Sequence, residues 1–219
     1  MKIKIENVKC INCGKESEQQ VIYSNHTFGE KQHLDCRLDN GQVVAPIQEC
    51  PHCHYANIDI SYPSENAQKV YASAEYQEIL NSNINSNIKN YIKTAFVNEK
   101  DKNDNTAQFY LFATWCFEDQ KDYKNATKYR ELAYKNLIKI AEKESNGDIY
   151  LQCVDLLRKN KEFDKAYELL QKVQQELLSA EPEFKATDEY TVILSIVKFE
   201  EKLIKANDYS DHLVEESKN

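Results

Sequence analysis

Two cysteine pairs with one spacing, Cys10-Ile11-Asn12-Cys13 and Cys50-Pro51-His52-Cys53, constrain this chain more than any other feature. A C-x-x-C turn aims two sulfurs at one point, and two such turns offer four soft thiolates to a tetrahedral ion. The stretch from Gly14 to Glu49 must then fold so that the two pairs meet. The spacing predicts one Zn2+ held by Cys10, Cys13, Cys50 and Cys53. Four thiolates close the coordination sphere, whereas a catalytic zinc keeps a position open, so the expected role is structural. Dithiol chemistry is the competing reading, because Cys50-Pro51-His52-Cys53 matches the C-P-H-C of strong thiol oxidants. Those motifs open a helix inside a βαβ unit. Here short strands flank the motif, and a second pair stands by to complete a metal site.

The residues around the pairs read as strand and turn. Lys2–Val8 alternates Ile3 and Ile5 with charge, Gln20–Tyr23 and Gln42–Gln48 are short apolar runs, and Asn57–Tyr62 alternates Ile58, Ile60 and Tyr62. Asp39-Asn40-Gly41 is a turn signal ahead of the third run. Residues 1–62 are therefore expected to form a zinc-ribbon-like module whose thin core leans on its metal. Pro63 ends the last run, and Ser64 can cap the helix that follows.

From residue 64 the pattern becomes helical, and only four glycines and four prolines in 219 residues leave little room for an all-β fold. Val70, Ala74 and Leu80, with Tyr71 and Tyr76, fall at helical spacing across Ser64–Leu80. Asn81–Asn87 reads as a loop, and Ile84, Ile88, Ile92 and Phe96 then form an i, i+4 stripe. A repeat follows: Gln120-Lys-Asp-Tyr123-Lys-Asn-Ala126 resembles Asn160-Lys-Glu-Phe163-Asp-Lys-Ala166, and Ala206-Asn-Asp-Tyr209-Ser-Asp-His212 echoes both. Tyr110, Ala113 and Phe117 align with Tyr150, Cys153 and Leu157; Ala126 and Ala133 align with Ala166 and Val173. Small residues seven apart let helices approach closely, as helix–turn–helix repeats require. The expected fold is α+β, mainly α, with an antiparallel helical, TPR-like repeat domain over 64–219. The copies exceed the usual period of about 34 residues, and Thr114 and Val154 stand where the repeat consensus has glycine. Pro182 is expected to lead into a final long helix, Phe184–Lys205, with Ile193, Val197, Glu200 and Ile204 on one face.

Charge narrows the functions available. The formal net charge is -8. Residues 1–63 carry six cations, Lys2, Lys4, Lys9, Lys15, Lys31 and Arg37, against eight carboxylates. Nucleic-acid affinity rests on cations meeting phosphates, so this balance argues against it. Of seven cysteines, Cys36, Cys116 and Cys153 lie outside the quartet and suggest no disulfide framework, which suits a reducing, cytoplasmic setting. No stretch reaches the roughly 20 apolar residues of a membrane span.

The run Gln48-Glu49-Cys50-Pro51-His52-Cys53-His54-Tyr55, with Cys10-x-x-Cys13-Gly14 upstream, resembles a bacterial family of unknown function. Its members join an N-terminal zinc-ribbon segment to a C-terminal TPR-like domain. The resemblance is best over residues 8–62 and architectural beyond. It also places Phe28-Gly29 and Asp35-Cys36-Arg37 between the knuckles. Family members have glycine where this chain has His54, a position that often needs a left-handed backbone. The resemblance implies a cytoplasmic zinc-binding protein and no particular reaction.

Other candidate groups have plainer readings. His26, His33, His52 and His54 surround the cysteines and are expected at the surface or in hydrogen bonds. Asp35 and Arg37 share a strand face and form a candidate polar pair. Cys116 and Cys153 are expected in the core. The acid pairs Asp188-Glu189, Glu200-Glu201 and Glu215-Glu216 read as solvated helix faces, and no phosphate loop or hydrolase motif occurs. The expected function is thus a non-enzymatic scaffold: one structural zinc and a helical surface for another protein or peptide. A nucleic-acid- or transcription-associated ribbon is the alternative, and a C-x-x-C redox enzyme the third.

Overall fold

The computed structural model describes residues 2–24, 31–38 and 47–218. The fold is α+β and mainly α, with a small antiparallel sheet at the N-terminus and nine α-helices among the described residues. The described residues group into two compact units, 2–24 with 47–129, and 31–38 with 130–218. The division falls within a helix and within the stretch between the two cysteine pairs, rather than at Pro63, where strand gives way to helix in the sequence. Residues 25–30 and 39–46, which carry His26, Phe28-Gly29 and the Asp39-Asn40-Gly41 turn, lie outside the described residues.

In the first unit, strands β1 (Lys2–Lys9) and β2 (Glu16–Ser24) pair antiparallel, ending at Lys9 opposite Glu16. Strands β3 (Gln48–Glu49) and β4 (Ala56–Asn57) pair likewise, with Glu49 opposite Ala56. Each cysteine pair is thus the connection of a hairpin, six residues long in both cases. The strand expected over Asn57–Tyr62 stops at Asn57. Asp59 ends it: its Oδ1 accepts the Ser61 amide at 2.8 Å and its carbonyl accepts that of Tyr62 at 3.1 Å. That is an Asx-type turn competing with the ladder.

Helices α1 (Ala67–Tyr71) and α2 (Ala74–Asn81) occupy the stretch read as one helix. Ser73 separates them: its hydroxyl donates to the Val70 carbonyl at 2.7 Å and accepts the Tyr76 amide at 3.3 Å, ending one helix and capping the next. Asn85 caps α3 (Ser86–Lys100), which buries Ile88 and Ile92 of the predicted stripe. Helix α4 (Thr106–Asp119) is buried through Tyr110, Ala113 and Phe117. Helix α5 (Tyr123–Glu144) contributes its start, to Tyr129, to this unit. The Tyr129 ring stacks on Phe117 with centroids 5.5 Å apart.

In the second unit, α6 (Gly147–Lys159), α7 (Phe163–Leu178) and α9 (Asp188–Lys205) pack on the remainder of α5. Their core holds Ala141, Tyr150, Val154, Leu157, Ala166, Leu170, Val173 and Val197. The long helix expected from Phe184 is two: α8 (Pro182–Lys185), with Pro182 in its first turn, and α9, capped by the Thr187 hydroxyl on the Tyr190 amide at 3.1 Å.

Each of the three copies of the sequence repeat is the same helix-ending turn. Lys121, Lys161 and Asn207 adopt left-handed φ of 59°, 64° and 52°. The next residue's amide then reaches back five positions, Asp122 to Phe117, Glu162 to Leu157 and Asp208 to Leu203, each at 2.9 Å. This is the Schellman arrangement, and the acidic residue after the left-handed one opens the next segment. The first two copies lead into α5 and α7. The third does not start a helix: Leu213 bridges to His33, and a short 3-10 helix covers Val214–Lys218.

Candidate metal centre

The two hairpin connections superimpose in chemistry. In each, the amide four residues after the first cysteine donates to that cysteine's carbonyl, Gly14 to Cys10 and His54 to Cys50, both at 2.8 Å. In each, the cysteine amide donates to the carbonyl five residues on, Cys10 to Lys15 and Cys50 to Tyr55, both at 2.9 Å. Gly14 has φ of 71° and His54 φ of 60°, so both connections turn through the left-handed region. His54 does this without glycine's freedom, and its Nδ1 lies 3.1 Å from Glu49 Oε1.

These turns bring the four sulfurs within 4.8 Å of one another. Cys10 and Cys53 Sγ are 3.8 Å apart, and Cys13 and Cys50 Sγ 3.7 Å. Four sulfurs each about 2.3 Å from one tetrahedral ion lie about 3.8 Å from their neighbours. The donor set and its spacing therefore fit a single metal ion. Cys10 and Cys50 are buried, and Cys13 and Cys53 half-buried.

Protons and a metal ion compete for this pocket. Burial pushes the Cys10 thiol up to about 12, and the neighbouring Cys53 sulfur adds to the effect. Burial also raises Cys53, against a hydrogen bond from the Asn12 side chain at 3.4 Å. At Cys13 burial acts the same way but is outweighed by the Lys15 amide and by the other thiols, which lower it. A cation entering here displaces protons and turns mutual repulsion into shared attraction.

The knuckles are not an isolated clasp. Cys10 and Cys50 share a buried cluster with Tyr55, Ile60, Ala67, Val70, Tyr76 and Val97, drawn from both hairpins and from α1, α2 and α3. The Tyr76 hydroxyl accepts the Ala56 amide at 3.2 Å and reaches the His54 carbonyl at 3.5 Å. Lys93, on α3 and 1% exposed, donates from Nζ to the His54 carbonyl at 2.9 Å and to Glu49 Oε1 at 3.1 Å. Asn90 Nδ2 donates to Glu49 Oε2 at 3.0 Å. Burial lowers Lys93, with Glu49 opposing. Burial alone would raise Glu49, but the Lys93 charge and these hydrogen bonds hold it below its ordinary value. The buried cation also faces the Cys53 sulfur's field, which favours its charged form. None of Tyr76, Asn90 or Lys93 was singled out in the sequence as part of this site. The one available signal was a lysine inside the Ile88–Phe96 stripe.

The other predicted candidates separate. His52 Nε2 lies 3.2 Å from the Glu16 carbonyl, and among the described residues no histidine joins the sulfur group. His33 and Cys36 belong to the second unit, where His33 Nδ1 lies 2.7 Å from Asp211 Oδ2 and Cys36 is exposed. Asp35 is buried: its Oδ1 accepts the Arg37 amide at 3.1 Å, and its Oδ2 takes Lys159 Nζ at 2.9 Å. Gln152 Nε2 holds the Asp35 carbonyl at 2.8 Å. Cys153 is in the core and Cys116 half-buried. Glu200 corrects the reading of Glu200-Glu201 as a solvated face: it is 1% exposed and bonded to Arg158 Nε at 3.0 Å, while Glu201 pairs with Lys205 at 2.7 Å.

No protein-family model matches the chain, and neither a curated protein nor a solved structure does. The structure itself shows a four-cysteine cluster near the N-terminus and a helical C-terminal region. No helix among the described residues is long and apolar enough to cross a membrane.

Proposed function

We propose that Cys10, Cys13, Cys50 and Cys53 hold one Zn2+ as a structural ion, and that the protein is a non-enzymatic interaction protein built on that centre. The carrying observation is the convergence of four sulfurs, all within 4.8 Å, at the heart of a cluster shared by two hairpins and three helices. Four thiolates leave no open position for substrate. Burial that keeps thiols protonated without metal makes the metal-bound state the one in which this core is complete. Zinc supplies the positive charge; the chain supplies the fixed hairpin turns, the Asn12 contact to Cys53 and the Lys93 anchor beneath His54.

The helical part completes the reading. Helices joined by the repeated turn are short-linked neighbours, as in TPR-like stacks, whose surfaces bind extended segments of other proteins. Tyr123 and Tyr209, the aromatics after two of the turns, are 65% and 54% exposed, which suits a contact role in a cytoplasmic protein or peptide complex.

Elemental analysis of the purified chain tests the centre directly. The expected result is one zinc per chain with four thiols protected from alkylation until a chelator is added. Full activity of the four cysteines as a reversible disulfide couple, with no metal and no loss of fold, overturns it.

A further inference from the structure

The second unit contains a buried cluster in which two carboxyl groups share one guanidinium. Arg158 is fully buried. Its Nη1 donates to the Asp208 and Ser210 carbonyls at 2.8 and 2.9 Å, its Nε to Glu200 Oε2 at 3.0 Å, and its Nη2 to Asp155 Oδ1. Neighbouring guanidinium donors ordinarily grip the two oxygens of one carboxylate. Here two carboxyl groups occupy that place, within hydrogen-bonding reach of each other. Their remaining oxygens, Asp155 Oδ2 and Glu200 Oε1, are buried and receive no hydrogen bond in the ionised form.

The surrounding charges are already engaged. From α6, Lys159 Nζ takes Asp35 Oδ2 at 2.9 Å and Asp211 Oδ1 at 3.0 Å. At the rim, His212 lies between Asp208 and Glu216, at 3.3 and 2.9 Å, and His33 is beside Asp211. Helix α7 meets α6 and α9 through Ala166, Leu170 and Val173, which are apolar. Three buried carboxyl groups, Asp35, Asp155 and Glu200, and three buried cations, Arg130, Arg158 and Lys159, lie in this unit. Arg130, from α5, donates to the Lys159 carbonyl and the Asn160 side chain, so Arg158 is the cation bonded to Asp155 and Glu200.

We propose that Asp155 and Glu200 form a proton-binding site, the two carboxyl groups sharing one proton at neutral pH while Arg158 balances the charge that remains. One proton shared by Asp155 and Glu200 removes one of the two buried negative charges beside Arg158 and supplies a hydrogen where two buried oxygens have none. Two like charges this close in a dry site cannot both persist. Burial raises both groups; the Asp155 charge adds to this at Glu200, while at Asp155 the Asp35 charge adds to it and Arg158 and Lys159 oppose it. Because Arg158 also holds the Asp208 and Ser210 carbonyls, the proton fixes the segment that follows α9. The folded pair keeps a proton that the unfolded chain gives up above the ordinary glutamate value of 4.5. This contribution to stability is therefore lost as pH rises through the pair's own, raised value.

Carboxyl-carbon NMR of the full chain, metal bound, tests the site without a mutation. The expected result is that Asp155 and Glu200 titrate together, well above the other carboxyl groups, and still hold a proton at pH 7. Both carbons at the ionised position at pH 7 overturn the proposal. Urea unfolding of variants gives a second reading. Glu200→Gln, which needs no proton on folding, is expected to raise the midpoint at pH 7 and to remove its fall between pH 7 and 9, whereas Asp155→Asn/Glu200→Gln, which strands the Arg158 charge, lowers it at both. If Glu200→Gln lowers the midpoint as far as the double variant does and keeps the fall, both carboxylates were ionised and the site does not exist.

Discussion

The two units bury polar groups in opposite ways. The first gathers four thiols that repel one another once ionised, a charge that one metal ion would balance on the reading proposed above. The second sets Asp35, Asp155 and Glu200 against Arg158 and Lys159 from within the chain. A centre completed from outside makes folding depend on metal supply, whereas a centre matched internally makes it depend on every partner in the chain. Buried ion pairs contribute little net stability while intact, since desolvation offsets attraction, yet losing one partner is costly.

The largest expected effect follows from the first half of that contrast. Cys50→Ser, or chelation of the wild type, removes a binding free energy on the order of 10 kcal/mol, which exceeds the stability of most domains. Near-UV circular dichroism is expected to show loss of the Tyr55 and Tyr76 environment, and proteolysis to open the knuckles before α6, α7 and α9. Apparent metal affinity is expected to rise with pH, because bound metal must displace protons from thiols that burial holds protonated. Uniform unfolding of both units on chelation would erase the comparison.

Next comes Arg158→Met, which leaves Asp155 and Glu200 buried without a cation. A loss of roughly 3–5 kcal/mol is expected by urea unfolding at neutral pH. The loss shrinks as pH falls, because protonation neutralises both acids. Lys93→Met in the first unit makes the matched test. Glu49 keeps the Asn90 hydrogen bond and partial access to water, so the expected loss is smaller, about 1–3 kcal/mol. Equal losses from the two substitutions would mean that Lys93, too, stands in a sealed ionic centre.

Local pattern explains which of these features the sequence disclosed. The quartet was legible because a metal knuckle is encoded in four consecutive residues and then repeated. The repeat was legible because a Schellman turn places one left-handed residue and one acid in fixed order. Ile58, Ile60 and Tyr62 alternate like a strand, but Asp59 captures the Ser61 amide and breaks the ladder, so period alone misled. Spacing puts Glu200 on the face of Val197 and Ile204, and that face is buried rather than solvated. Its partner Arg158 lies 42 residues away, and no local signal pairs them. Lys93 was hidden in the same way, within an apolar stripe whose tertiary neighbours a single sequence does not name.

The smallest effects test backbone strain, where the two units ought to behave alike. With four glycines in the whole chain, helix ends and one knuckle adopt left-handed φ on residues that carry a Cβ. Ser145 in the second unit has φ of 51° and is exposed; His54 in the first has φ of 60° and an exposed contact to Glu49. Glycine at such a position removes a steric penalty of about 1 kcal/mol and returns part of it as unfolded-state entropy. Ser145→Gly and His54→Gly are each expected to raise stability by a few tenths to about 1 kcal/mol, read as a shift in the urea midpoint with metal bound. Gly14→Ala is the converse: no atom lies within 4 Å of an added Cβ, so its expected cost of about 1–2 kcal/mol is backbone strain alone. If His54→Gly destabilises while Ser145→Gly stabilises, the His54–Glu49 contact contributes more than an exposed pair should, and the second knuckle depends on its histidine rather than tolerating it.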